Sequence, residues 1–411
     1  MTYSLLAGIR LVEVSAFIAA PLAGLTLAQL GAQVLRIDLI GGGIDYSRMP
    51  SMPQGRSLYW TNLNKGKKSI AIDTRRPEGQ ELVAALATAS GPGGGILLTN
   101  IPTTIPHMRL SALRPDMISC VIEGNFDGST AVDYTVNAAT GYPAMTGGGS
   151  LERPVNHVLP AWDIACALQA STSLLAAIIA RRQTGLGANI RLALSDVAFA
   201  TMGHLGILAE AELFGRDRPA LGNDIYGAFG RDFATADGRR VMIVAISIRQ
   251  WTSLVAATAM GPKIAAIEAA TGLDFRREED RFAGRDIIAA LVKIWCNSLS
   301  LAEIASIFEQ FNVCWSEYKT VHQLVSSDPR LSSTNPVFER IFTQGVGEHL
   351  AAGSAARVDG MKRNQTSPAP LIGADTDWAL DEILGLPSQV IGNLHDRGVV
   401  AGPDQDPWKR C

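Results

Sequence analysis

The sequence predicts an α/β protein with a large parallel-sheet part and a smaller second part. Short β-rich runs alternate with helical stretches through the N-terminal half, the pattern of parallel strands joined by helices. The style changes near Leu221, where two β-rich runs flank an Asp237-Gly238 turn and a series of helices follows. The length, 411 residues, exceeds one average domain.

Taken in order, Ile9–Val14 is a strand, and Pro21–Leu30 a helix with proline in its first turn and Gly31 just past its end. Val34–Ile37 and Ser69–Asp73 are strands, Pro77–Ala89 a helix, and Ile96–Thr99 and Met117–Ile122 further strands. Gly91–Gly95 is a loop. Residues 141–160 carry seven Gly and Pro, Gly148 and Gly149 among them, and read as a long irregular connection of the kind that often carries function. An uncharged stretch, Ile164–Ala180, sits in a helix running to Arg182. It is under the ~20 residues of a membrane span and contains polar residues, so a buried helix is expected. Ile190–Leu194 is a strand and Val197–Leu213 a helix, in which His204 reads as a core histidine.

Tyr226–Ala236 and Arg240–Ala245 read as antiparallel strands. Helices are expected at Ile248–Thr258, Ile264–Ala270, Gly284–Cys296 and Leu301–Glu309, with the charged segment Arg276–Arg285 as a solvated face. Prolines punctuate an extended return, closed by helices at Thr376–Leu384 and Pro387–Arg397. The expected division is 1–221, 222–325 and 326–411, the last a return segment completing the large domain.

Hydrophobic residues make up 47% and charged residues 18%, with a net charge of −3. Such a chain buries a sizeable core and has no basic excess for a broad nucleic-acid footprint. The five cysteines (120, 166, 296, 314, 411) form no CxxC. They suit a reducing compartment. The opening lacks the layout of a signal peptide, so a cytoplasmic protein without a membrane span is expected.

The turn after the first strand, Ser15–Pro21, lacks GxGxxG, which argues against a dinucleotide there. GxxxxGK[ST], GxSxG and HExxH are also missing, and the six histidines are scattered. No metal or permanently bound cofactor is expected.

Several stretches carry a resemblance. Gly8–Pro21, Leu30–Asp38, Asn62–Lys65, Ser69–Asp73, Pro77–Gly79, Pro368 to Gly373, Thr376, Leu384–Leu386 and Gly398–Val400 resemble family III (CaiB/BaiF) CoA-transferases. Within that family Ser15–Pro21, Gly41–Tyr46, Val132–Asn137, Val155–Asp163 and Tyr226–Phe233 are most similar to the branch that moves CoA between the two carboxyl groups of one small, branched, unsaturated dicarboxylate. The resemblance implies a large doubly wound, Rossmann-like parallel-sheet domain, a smaller α/β domain and an interlocked homodimer. It implies an acyl-CoA thioester and a small carboxylate as substrates, with coenzyme A as part of the substrate.

It further implies that Asp163 is the nucleophile, attacking the thioester to form an anhydride and then an aspartyl-CoA thioester. A carboxylate is already ionised at neutral pH and needs no separate base. The amides and dipole of a helix N-terminus are expected to hold it ionised and to stabilise the oxyanions. Position alone also allows an N-cap.

The resemblance implies CoA contacts at Phe17, Ile18 and Ala19, where plain apolar packing is the competing reading. Contacts are likewise implied at Leu63 and Lys65, with an inserted residue leaving Lys65, Lys67 and Lys68 open as the phosphate contact, and at Asn100 and Ile101. Many relatives place a base where Leu39 stands, and Arg36 is a candidate substitute. Tyr46, Arg48, Asn156 and His157 are candidates for holding substrate. Racemases of the family carry a histidine where Val132 stands, and valine exchanges no proton. Transfer between two separate acids is the alternative activity.

Overall fold

The structure, a computed structural model, describes residues 2–101, 105–147, 151–332 and 334–409. Gly148, Gly149 and Cys411 of the sequence reading lie outside them. By backbone packing the chain divides into two compact units. One comprises residues 1–140, 158–210 and 329–411, the other 141–157 and 211–328.

In chain order the first elements are β1 (Arg10–Val14), α1 (Ala19–Gln29), β2 (Gln33–Asp38), α2 (Leu58–Asn64), β3 (Lys68–Ile72), α3 (Pro77–Thr88), β4 (Ile96–Thr99), α4 (His107–Leu113) and β5 (Ile118–Glu123). Then come α5 (Asp133–Ala139), α6 (Tyr142–Thr146), α7 (Ala161–Thr184), β6 (Ala188–Ala193), α8 (Leu194–His204) and α9 (Ile207–Phe214). The strands lie in the order β3-β2-β1-β4-β5-β6, all parallel. The chain runs outward from β1 through β2 to β3, then returns to β4 on the other side of β1. Loops at the carboxyl ends of β1 and β4 therefore face one crevice. The central strands are largely buried on both faces, with Glu13, Arg36 and Asp38 as buried charges among their apolar residues; β6 is only partly covered.

One apolar cluster sets Val12, Leu35, Ile70 and Leu97 of the strands against Val83, Leu86 and Ala87 of α3. Each buried Val, Leu or Ile of this cluster contributes about 1.5–3 kcal/mol. On α1, the buried small residues Ala20 and Ala23 let α7 approach, and the Ser171 hydroxyl lies 3.4 Å from the Ala23 carbonyl oxygen; Gly24 instead leaves room for the Glu13 carboxylate. Near the C-terminal end of α7, Arg181 donates to the carbonyls of Gly94 and Gly95, at 2.9 and 3.1 Å.

The second unit holds β7 (Phe229–Ala234), β8 (Arg240–Ala245), α10 (Ile248–Ala257), α11 (Gly261–Thr271), α12 (Glu278–Ala283), α13 (Arg285–Asn297), α14 (Leu301–Phe311) and β9 (Cys314–Glu317). Gly238, at φ +73°, makes the β7–β8 turn. The return segment contributes an antiparallel hairpin, β10 (Phe338–Thr343) with β11 (Gly347–Ala352), and β12 (Val400–Ala401), which pairs antiparallel with β3.

Four expectations are corrected. The helix expected over Val197–Leu213 is two helices, parted at Leu205 and Gly206, because Gly206 takes φ +74°. His204 is exposed rather than in the core. The charged segment forms α12, and Arg281 in it is buried, donating to the carbonyls of Phe275 and Ile246. Finally, α7 is long and apolar enough to cross a bilayer, but it is buried along one stripe only. Cys166, Ala167, Ala170, Leu174 and Ile178 are packed, while Leu168 and Ile179 are exposed.

Candidate active site

Asp163 is the third residue of α7, in the first turn of the helix, and Pro160 takes the N-cap position. The capping alternative is therefore set aside. The cap function falls to Asp133, the first residue of α5. Its Oδ2 accepts from the backbone amides of Trp162 at 2.7 Å and Asp163 at 3.1 Å. The Trp162 indole N–H donates to Asn137 Oδ1 at 3.1 Å, tying α7 to α5 a second time.

This corrects the expectation that the helix amides hold Asp163 ionised. Two of them are already bonded to Asp133, and among the described residues nothing donates to the Asp163 carboxylate. Burial, and next the neighbouring negative charge of Asp133, raise its pKa from 3.8 to about 6. Asp163 thus has oxygens free of hydrogen bonds in a half-buried setting, the condition of a reactive rather than a structural carboxylate.

The turn between β1 and α1 is held in place from three sides. Asn100, just after β4, accepts from the Ala16 amide at 3.0 Å and donates to the Ala16 carbonyl at 2.7 Å. Asp45 accepts the Phe17 amide at 3.1 Å, and Phe17 sits at φ +63°, an uncommon value for an aromatic residue. Arg36 donates to the hydroxyl and the carbonyl of Ser15. Of the expected contacts here, Phe17 is exposed, Ile18 half-buried and Ala19 buried.

Arg36 is itself buried, with Glu13, Asp38 and Asp45 around it. It positions the turn, and its guanidinium is committed to these internal carboxylates rather than replacing a surface base at Leu39. Lys67 is fully buried, bonded to Glu13, the Pro21 carbonyl and Asn64. Burial lowers its pKa to about 8. Lys68 pairs with Asp375 and lies over the Trp378 ring. Lys65 is buried as well, donating to the Asn62 carbonyl, and its pKa is likewise lowered to about 8 by burial. Leu63 is half-buried on α2.

A cavity of about 490 Å³ opens at the carboxyl ends of β1 to β4, lined among others by Ala16, Leu39, Ile44, Arg75 and Ile101. Thr74, Arg75 and Gln80 in its wall were not foreseen. The available signal was only their place just after β3 and at the start of α3. Tyr46 is a core residue. Its ring meets Trp60 edge-on and its hydroxyl donates to Asp406 Oδ2 at 2.6 Å, which places that hydroxyl in the interior instead of an acyl pocket. Arg48 is exposed beside Phe17 and Tyr59. In the second unit, Asn156 Oδ1 accepts the His157 amide at 3.1 Å. Val132 is exposed at the N-cap of α5. Among the described residues no cluster of His, Cys, Asp and Glu is arranged to hold a metal ion.

Comparison with known proteins gives the family and the fold. A family profile described as CoA-transferase family III matches residues 6–376. The chain is 47% identical over 404 residues to 2-methylfumaryl-CoA isomerase of Chloroflexus aurantiacus, covering 98% of this chain and 99% of the relative. It is 25% identical over 410 residues to the succinyl-CoA–L-malate CoA-transferase alpha subunit of the same organism, covering 96% and 92%. Among solved structures, a CaiB/BaiF family protein of Brucella suis superposes with a TM-score of 0.73 at 22% identity, covering 93% of this chain and all of the other. That likeness establishes the mixed α/β fold with its large parallel sheet.

Proposed function

The chain belongs to CoA-transferase family III, and from that premise we propose that it moves CoA between the two carboxyl groups of a small, branched, unsaturated dicarboxylate, as a 2-methylfumaryl-CoA isomerase does. The observation that carries the substrate assignment is the 47% identity to that isomerase over 404 residues. The reading of the chemistry is supported by the half-buried Asp163 carboxylate without hydrogen-bond donors.

In this reading the Asp163 carboxylate attacks the thioester carbonyl, the C–S bond breaks, and CoA thiolate leaves as a mixed anhydride forms. The thiolate attacks the Asp163 carbonyl carbon and expels the dicarboxylate, giving an aspartyl-CoA thioester. The second carboxyl group of the same dicarboxylate attacks that thioester, CoA thiolate leaves again, and its attack on the new anhydride restores Asp163. Every step passes an acyl group between a carboxylate and a thiolate, so no oxidant and no separate base is required.

The held turn at Ala16 to Ala19, with Asn100 and Ile101 opposite, is read as the CoA-binding wall. The strand order β3-β2-β1-β4-β5-β6 supports a Rossmann-like reading of the large unit. Of the three lysines, Lys65 bonds only a backbone carbonyl, whereas Lys67 and Lys68 pair with Glu13 and Asp375; Lys65 is assigned to CoA, with Leu63. Exposed apolar side chains along α7 and α8, Leu168, Ile179 and Phe199, support a surface for a second copy in an interlocked cytoplasmic homodimer.

Incubating the purified protein with a single 2-methylfumaryl-CoA monothioester and no added acid tests the function. Conversion to the other monothioester is expected, whereas turnover only on addition of a second carboxylic acid would favour the intermolecular alternative. Val132, with no proton to exchange, stands against racemase chemistry.

A further inference from the structure

Arg48 lies in the connection between β2 and α2, and it differs from the other cations around the site. Arg36 and Lys67 are buried among carboxylates and carbonyls. Arg56 is buried and donates to the carbonyls of Gln344 and Pro370. Arg48 is exposed; its amide donates to the Asp45 carbonyl, but among the described residues its guanidinium has neither an ion pair nor a hydrogen bond.

It is nonetheless held. Its guanidinium carbon sits 5.3 Å from the centroid of the Phe17 ring and 5.9 Å from that of Tyr59. Contact with ring faces restrains a guanidinium while leaving its in-plane N–H donors for an anion. Phe17 is itself fixed, since its amide is bound by Asp45 and its backbone is left-handed.

The second ring links Arg48 to the nucleophile. Burial raises the Tyr59 hydroxyl pKa, the charge of Asp163 raises it further, and the charge of Arg48 draws it down. One hydroxyl therefore lies within electrostatic range of both groups. A fixed cation with free donors therefore lies beside the CoA-binding turn, and the Tyr59 ring against it also feels the charge of the Asp163 carboxylate.

We propose that Arg48 is the substrate-positioning residue that holds the free carboxylate of a dicarboxylyl-CoA while Asp163 acts on the other end. The inference rests on the isomerase reading and adds to it. Once CoA has passed to Asp163, the acyl group is a free dianion with no covalent tie to the protein. If it is to return through its second carboxyl group, a cation must hold it as it turns. A guanidinium binds a carboxylate through two parallel N–H bonds and serves either end equally.

The test uses Arg48→Gln and Arg48→Lys with two thioesters, 2-methylfumaryl-CoA and methacrylyl-CoA, which has the same branched unsaturated chain without the second carboxylate. Rates of isomerisation, release of free 2-methylfumarate, and CoA loaded on Asp163 by intact mass are measured. Arg48→Gln is expected to lower kcat/KM for 2-methylfumaryl-CoA about 10- to 100-fold, the value of one or two hydrogen bonds between charged groups. Most of that loss falls in KM, with free 2-methylfumarate appearing in solution, while loading from methacrylyl-CoA is unchanged. Arg48→Lys restores part of the loss, since charge remains but the fork does not.

Equal losses with both thioesters, or no loss with 2-methylfumaryl-CoA, overturn the inference. A parent protein that does not isomerise 2-methylfumaryl-CoA sinks the isomerase reading instead. Arg48 is then decided by loading alone. The parent must load faster from the dicarboxylyl thioester than from methacrylyl-CoA, and Arg48→Gln must abolish that preference. Failure of either part overturns the proposal.

Discussion

Replacing Asp133 by asparagine separates its two roles. The amide oxygen of asparagine still accepts from the Trp162 and Asp163 amides, while the negative charge beside Asp163 disappears. The rise of the Asp163 pKa from 3.8 to about 6 corresponds to about 3 kcal/mol in favour of the protonated form, at 1.36 kcal/mol per pH unit. Burial is the larger cause and Asp133 the smaller. Asp133→Asn therefore removes less than half, under about 1.5 kcal/mol, which lowers the pKa by about one unit at most. The nucleophile must be ionised, so activity rises with pH through the Asp163 pKa. The acidic limb of kcat/KM for thioester transfer is expected near pH 6 in the parent and lower by up to about one unit in the variant. The sign for stability is opposite. A carboxyl group whose pKa is raised on folding costs stability as pH climbs from 3.8 towards 6, and the variant reduces that cost. A limb that stays in place or moves to higher pH would refute the assignment of Asp133 as a charge acting on Asp163.

Two further substitutions test the surroundings of the site. Lys67→Met leaves the buried Glu13 carboxylate with Arg36 as its remaining cation. A loss of about 3 kcal/mol or more in denaturant unfolding is expected, and a loss below about 1 kcal/mol would show the network contributes little. Asn100→Ala removes both bonds to Ala16 and is expected to cost about 1–3 kcal/mol of stability. It should also raise KM for acyl-CoA more than it lowers kcat, because the turn is loosened rather than the chemistry removed; a change in kcat alone would contradict that.

Much of the large unit was legible in the sequence because short β-rich apolar runs alternate there with helical stretches. Ile96–Thr99 was read at its observed limits, and Pro77–Ala89 to within one residue. The elements that escaped have mixed surfaces. The β10 sequence Phe-Glu-Arg-Ile-Phe-Thr has half-exposed and exposed positions interleaved with only two buried ones, so it carries no clear period. Arg281 looked like a solvated charge because its buried acceptors are the carbonyls of Phe275 and Ile246, and a backbone acceptor leaves no trace in the sequence. The position of Asp163 near the start of a helix was legible, but its environment was not. The residue that takes the helix amides, Asp133, is 30 positions away, and only folding brings it there. Lys67 was equally opaque, since a lysine beside two others reads as a surface run until Glu13 is found beneath it.

Intact-protein and peptide mass spectrometry after mixing the protein with 2-methylfumaryl-CoA and trapping with hydroxylamine or borohydride tests the central claim most directly. The modification is expected on Asp163, with its loss in Asp163→Ala. A modification elsewhere, or the same one in Asp163→Ala, would contradict it.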